Sequence, residues 1–204
     1  NTREPLIEWV RGYGVTTLHT GHAPGELISG QTMIVKTRGN TVDEATLVPT
    51  AGIALTLGPA STRGGGKSPG SRGKQMAMLR AKLLEAKAYM ESLEKAAKAP
   101  EKKKDEKAEG KGEKKITRPP VNLALEALSS ALRKEVPLVI TAHRAQDIAT
   151  ALRLRREFDL RIILDGGAEA YLLTEELKKA DVPVIIHPSM ARFSGELENA
   201  SFET

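Results

Sequence analysis

The residues of this chain best suited to acid–base or metal chemistry are its four histidines, His19, His22, His143 and His187. Imidazole titrates near neutral pH and is a common metal ligand. Three of them close or follow an apolar or β-branched run. His19 ends VTTLH, with His22 close behind; His143 follows PLVITA and His187 follows VPVII. Asp165 follows the run LRIIL and is trailed by Gly166 and Gly167. It is a candidate catalytic carboxylate, with a plainer reading as the N-cap of a helix starting near Ala168. Arg144 and Asp147 stand beside and just beyond His143; Arg144 and His22 are candidates for substrate contact. Any one of these histidines could equally cap a strand or bond a backbone carbonyl. There is no cysteine, so disulfides and thiolate metal sites are excluded.

These side chains need a scaffold that brings distant segments together, and the C-terminal third supplies its pattern. A helix is predicted over 122–134, a strand over 137–142, a helix over 144–158, a strand over 160–164, a helix over 168–180 and a strand over 182–186. Continuous apolar strands alternating with amphipathic helices specify a parallel sheet buried on both faces. In a closed (β/α) barrel and in an open doubly wound sheet alike, ligands bind at the C-terminal strand ends. That rule places His143, Asp165 and His187 on one rim. The periodicity alone does not choose between the two architectures.

The N-terminal part is less regular. Residues 4–13 read as a helix, Val15–His19 as a short buried strand, Met33–Thr37 and Ile53–Leu57 as further strands, so that His19 joins the same rim. Residues 74–93 form an amphipathic helix with Met76, Leu79, Leu83, Leu84, Ala86 and Met90 on one face. Before it lies a glycine-rich loop, 58–73, suited to a mobile lid. Its Gly66-Lys67-Ser68 resembles the end of a phosphate-binding loop, but the required earlier glycine falls on Ser61.

Composition narrows the function classes. The net charge is +5, yet residues 94–118 alone carry ten basic and six acidic side chains, leaving +1 for everything else. A basic face for nucleic acid is therefore not expected. That Lys/Glu-rich stretch has too few apolar residues to offset its ordering entropy. It divides the chain into a first part of the fold (1–93), a linker expected to be disordered (94–120), and a second part of the same fold (121–204). No apolar run is long enough to cross a membrane. The chain opens on Asn1 with no visible signal peptide, which leaves the compartment open, cytoplasmic or periplasmic.

Three passages together resemble the amidohydrolase superfamily, in its imidazolonepropionase-like branch: GVTTLHTGHAPGELISGQTMIVKTRG (14–39), the stretch from VPLVITAHRAQDI to VPVIIHP (136–188), and ELENASFET (196–204). The resemblance implies a parallel (β/α) TIM-barrel-type fold, of which this chain covers roughly the middle half. It also implies hydrolysis of an amide or cyclic amide C–N bond in a small-molecule substrate. A divalent metal, zinc above all, would lower the pKa of a bound water and polarise the carbonyl. The histidine of the "AHR" motif, a metal ligand in that branch, is His143. The branch's second histidine ligand, in "HGTEAY", falls on Gly166, and its glutamate ligand falls near Pro59. Its first-strand His-x-His would precede Asn1 and its last-strand aspartate would follow Thr204. A catalytic zinc needs about three protein ligands; His187 and His19 are the histidines that could make up the set.

Two readings follow. One is a metal-dependent amidohydrolase with an altered site. The other is a non-catalytic homologue acting as a structural or partner-binding subunit. An incomplete barrel exposes sheet edges, so a homo-oligomer or a partner subunit completing it is expected in either case.

Overall fold

In the computed structural model, residues 4–21, 25–62, 68–98 and 119–187 are described. They form one six-stranded sheet in sequential order, β1 (Thr17–Thr20), β2 (Ile28–Lys36), β3 (Thr46–Thr56), β4 (Leu138–Ala142), β5 (Ile162–Gly166) and β6 (Val184–Ile185). The helices are α1 (Pro5–Gly12), α2 (Val42–Ala45), α3 (Arg72–Lys98), α4 (Leu123–Leu132), α5 (Ala145–Phe158) and α6 (Thr174–Lys179). The Lys/Glu-rich residues 99–118 and Gly66-Lys67 of the glycine-rich loop lie outside the described residues.

The sheet is mixed, and this corrects the expectation of an all-parallel one. β3, β4, β5 and β6 are parallel, whereas β1 and β2, and β2 and β3, pair antiparallel. Connection length explains the difference. A parallel crossover needs about a dozen or more residues. The links 21–27 and 37–45 are shorter than that, whereas α3 and α4, α5 and α6 each fill a crossover between parallel neighbours. The arrangement is a half-barrel with helices packed on its outer side.

The core lies between the sheet and those helices. Ile53, Leu55, Leu138, Ile140 and Leu164 on the strands pack with Leu79, Leu83, Leu128, Ile148 and Leu154 on the helices. Each fully buried branched side chain contributes about 1.5–3 kcal/mol of transfer free energy. On α3 the buried set is Met76, Leu79, Leu83, Ala86 and Tyr89, while Leu84, expected inside, is exposed. β1 is likewise mostly exposed rather than buried.

Alternation along the strands turns every second residue to the opposite, inner face. Thr56, Thr141, Asp165 and Ile185 are therefore cross-strand partners in one row. This row sits at the C-terminal ends of the parallel strands and carries the polar groups of interest.

Candidate active site at the strand ends

Asp165 anchors the row. Its Oδ2 accepts a hydrogen bond from Thr141 Oγ1 at 2.9 Å. Its Oδ1 lies 2.8 Å from His187 Nε2. A carboxylate only accepts, so Nε2 carries the hydrogen and Nδ1 is left with the ring's lone pair in the neutral form. The Asp165 side chain is 5% exposed and that of His187 61%. A buried carboxylate thus orients an imidazole that faces solvent. Asp165 lies within β5 and no helix cap is made by it, so the plainer reading as an N-cap is set aside.

His143 follows β4 directly and packs against the next strand's end. A Cβ at Gly166 would stand 2.4 Å from His143 Cε1 and 2.8 Å from Nδ1. The imidazole therefore occupies the space that a side chain at 166 would need. Burial holds the His143 imidazole below its ordinary pKa, with the Asp165 charge acting in the opposite direction. The turn bearing His143 is tied down by Glu169: its backbone N–H donates to the His143 carbonyl at 2.8 Å, and its carboxylate accepts from the Ala145 N–H at 2.7 Å. Glu169 thereby fills the role of a missing cap at the start of α5, where the N-cap residue Arg144 makes no side-chain cap bond. Arg144 itself lies 3.9 Å from Glu169.

One side of the rim is braced by a second polar group. Buried Asp147 receives Arg72 Nε at 2.9 Å and Nη2 at 3.3 Å. Gly58 makes room for it, since a Cβ there would meet Asp147 Oδ2 at 2.6 Å. Buried Gln75 donates to the Gly58 carbonyl and to Ser61 Oγ, each at 2.7 Å, and fixes the turn after β3. A cleft of about 260 Å³ opens beside this brace on the helix side, lined by Arg72, Arg80, Asp147, Thr150 and Arg153 among others.

The structure brings Asp165 and His187 into contact and sets His143 at the same strand ends. His19 is elsewhere. It pairs with Ile34, which pairs with Val48, and its Nε2 is 2.8 Å from Thr32 Oγ1 beside Gly52. Strands rise roughly 3.3 Å per residue, and Gly52, the partner of Thr32, stands four residues before Thr56, so the His19 ring lies roughly 13 Å of strand below the Thr56 row. His19 is thus corrected from a rim ligand to a residue at the foot of the sheet, because the antiparallel β2 carries β1 down to that level. His22 lies outside the described residues.

The divalent metal implied by the resemblance does not fit the described residues. Gly166 offers no ligand, and its space is taken by His143. Pro59 opens a short 3₁₀ turn and has no donor side chain. Asp165 has an oxygen committed to Thr141 and another to His187. Among the described residues no group of three or more His, Asp or Glu side chains could hold a metal ion. A zinc set built on His143, His187 and His19 is therefore not assembled.

Thr141, Glu169, Arg72 and Gln75 escaped the sequence reading. Thr141 alone had a usable signal, standing two residues before His143 on an alternating strand and so sharing its face.

No family model matches the chain. Over 98% of its length it is similar to the crystal structure of an amidohydrolase from Thermotoga maritima MSB8, with a TM-score of 0.83 and 28% sequence identity. It spans 50% of that protein. It is also 34% identical to the amidohydrolase tasK of Hapsidospora irregularis, over 30% of this chain and 9% of that one. Both relatives carry the name amidohydrolase, which supports a kinship with that superfamily.

Proposed function

We propose that this chain forms the central part of a (β/α) TIM-barrel hydrolase that cleaves an amide or cyclic amide C–N bond of a small-molecule substrate. The observation that carries the reading is the Asp165–His187 pair at the C-terminal strand ends, in a chain similar over 98% of its length to an amidohydrolase. Parallel-sheet enzymes of this architecture place their chemistry at that end. His143, on the adjoining strand, sits where it can face the same substrate. Arg144, the residue after His143, offers a guanidinium for an anionic substrate group.

The reading is tested by a hydrolysis screen on N-acyl amino acids, dipeptides and cyclic imides with the full chain. Turnover that is lost in His143→Ala supports it. Turnover that survives that substitution removes His143 from the site, and a chain inert towards every class of amide contradicts the hydrolytic assignment.

A further inference from the structure

We infer that His187, held by Asp165 and Thr141, serves as the water-activating base of this site, in the place that a metal-bound water would take in the chain's likeness. The inference rests on the hydrolytic reading above and adds to it the group that moves the proton.

Three observations converge. First, two of the expected ligand positions that fall among the described residues bring no donors: Gly166 and Pro59 have none, the space at Gly166 is filled by His143, and no group of three or more His, Asp or Glu side chains among the described residues could hold a metal. Second, the strand ends carry a continuous hydrogen-bonded chain, Thr141 Oγ1 to Asp165 Oδ2 and Asp165 Oδ1 to His187 Nε2, at 2.9 and 2.8 Å. Third, exposure is graded along it, from the buried carboxylate at 5% to the open imidazole at 61%. A buried carboxylate that fixes one imidazole tautomer and leaves the other nitrogen open is the arrangement general-base catalysis requires.

The step balances without a co-reactant. His187 Nδ1 takes a proton from water as its oxygen bonds to the substrate carbonyl carbon, and the carbonyl π pair moves onto oxygen. The C–N bond then breaks, and His187 returns the proton to the departing nitrogen. The products are a carboxylic acid and an amine. Asp165 and Thr141 touch neither water nor substrate in this scheme and are positioning residues.

The test has two readouts. ¹⁵N NMR of the histidine rings in the full chain should show His187 as the Nε2–H tautomer, and Asp165→Asn should shift it towards Nδ1–H. In the hydrolysis assay, Asp165→Asn and His187→Gln should lower kcat about 10²–10⁴-fold with little change in KM. Thr141→Ser should retain most activity where Thr141→Val does not. His187→Gln alters an exposed side chain and keeps the assay decisive even where Asp165→Asn unfolds. Calorimetry with zinc alone should show no stoichiometric binding at micromolar metal. Zinc uptake abolished by His143→Ala, turnover that requires added metal, or turnover indifferent to His187→Gln overturns the relay while leaving the hydrolytic reading in place. No turnover in the wild-type chain overturns both, and the tautomer measurement then shows whether the hydrogen-bonded chain itself exists.

Discussion

At Gly166 the backbone has φ +87°, and a methyl carbon would meet the His143 ring at 2.4 Å. Gly166→Ala must both strain the backbone and displace the imidazole. We expect it to cost about 1–3 kcal/mol in urea denaturation and to reduce turnover; a fully active, equally stable variant would show that the ring has room elsewhere. His143 also gives a pH signature. Its folded pKa is lowered by burial, so the unfolded chain binds the proton more tightly. The contribution to stability is then complete above the ordinary imidazole value of about 6.5 and is lost as pH falls from there through the lower folded value. Chemical denaturation from pH 7.5 to 5 should show this decline, and His143→Gln should flatten it. An unchanged slope in that variant would assign the decline to other groups.

Among the elements, α3 and α5 are joined at the rim by Arg72 and Asp147, with the Arg72 side chain 39% exposed and that of Asp147 5%. Arg72→Ala leaves a buried carboxylate without its guanidinium. Because Arg72 is partly solvated, the loss is expected to be about 1–3 kcal/mol, below that of a fully buried pair. Thermal melts of Arg72→Ala and of the double variant with Asp147→Asn check this, since the second change should recover part of the loss. The same elements show what local pattern can and cannot reveal. β4, α5 and β5 were legible because their apolar runs are continuous and their helices amphipathic. β2 begins at Ile28, ahead of the expected Met33, because Ser29, Gly30 and Gln31 carry no apolar signal and the segment is held by pairing of Ile28, Gly30 and Gln31 with β3. Strand direction was hidden for a related reason: it is set by what a short connection permits between elements, and VTTLH looks the same in either orientation. The strand-end placement of Asp165 and His187 was readable from periodicity. The brace of Arg72, Gln75 and Gly58 was not, because its contacts join residues far apart in sequence through side chains with no local pattern.

For the molecule as a whole, the helix-facing side of the sheet holds the stability. Ile140 is fully buried in the middle of β4, and Ile140→Ala should cost about 2–5 kcal/mol, measured by the same denaturation; a loss under about 1 kcal/mol would mean that the site collapses around the missing atoms. The sheet's other boundary is less protected. Among the described residues β6 pairs on one side only, and Ile186 beyond it is 81% exposed. An open strand edge beside an apolar side chain invites pairing with further chain. We therefore expect sedimentation velocity of the 204-residue chain at high concentration to show self-association; a single monomeric boundary throughout would contradict this.

The length of α3 has a practical outcome. It starts at the rim with Arg72 and runs to Lys98, about 40 Å at 1.5 Å per residue. α4 returns antiparallel to it, with Tyr89 Oη bonded to Glu126 and the Asn122 N–H, and Ser129 bonded to the Ala86 carbonyl. Lys98 and Pro119 are thereby delivered to the end of the molecule remote from His187. A biotin acceptor or fluorescent tag spliced between them would anchor the protein to a surface with its strand-end rim turned outward, open to solutes.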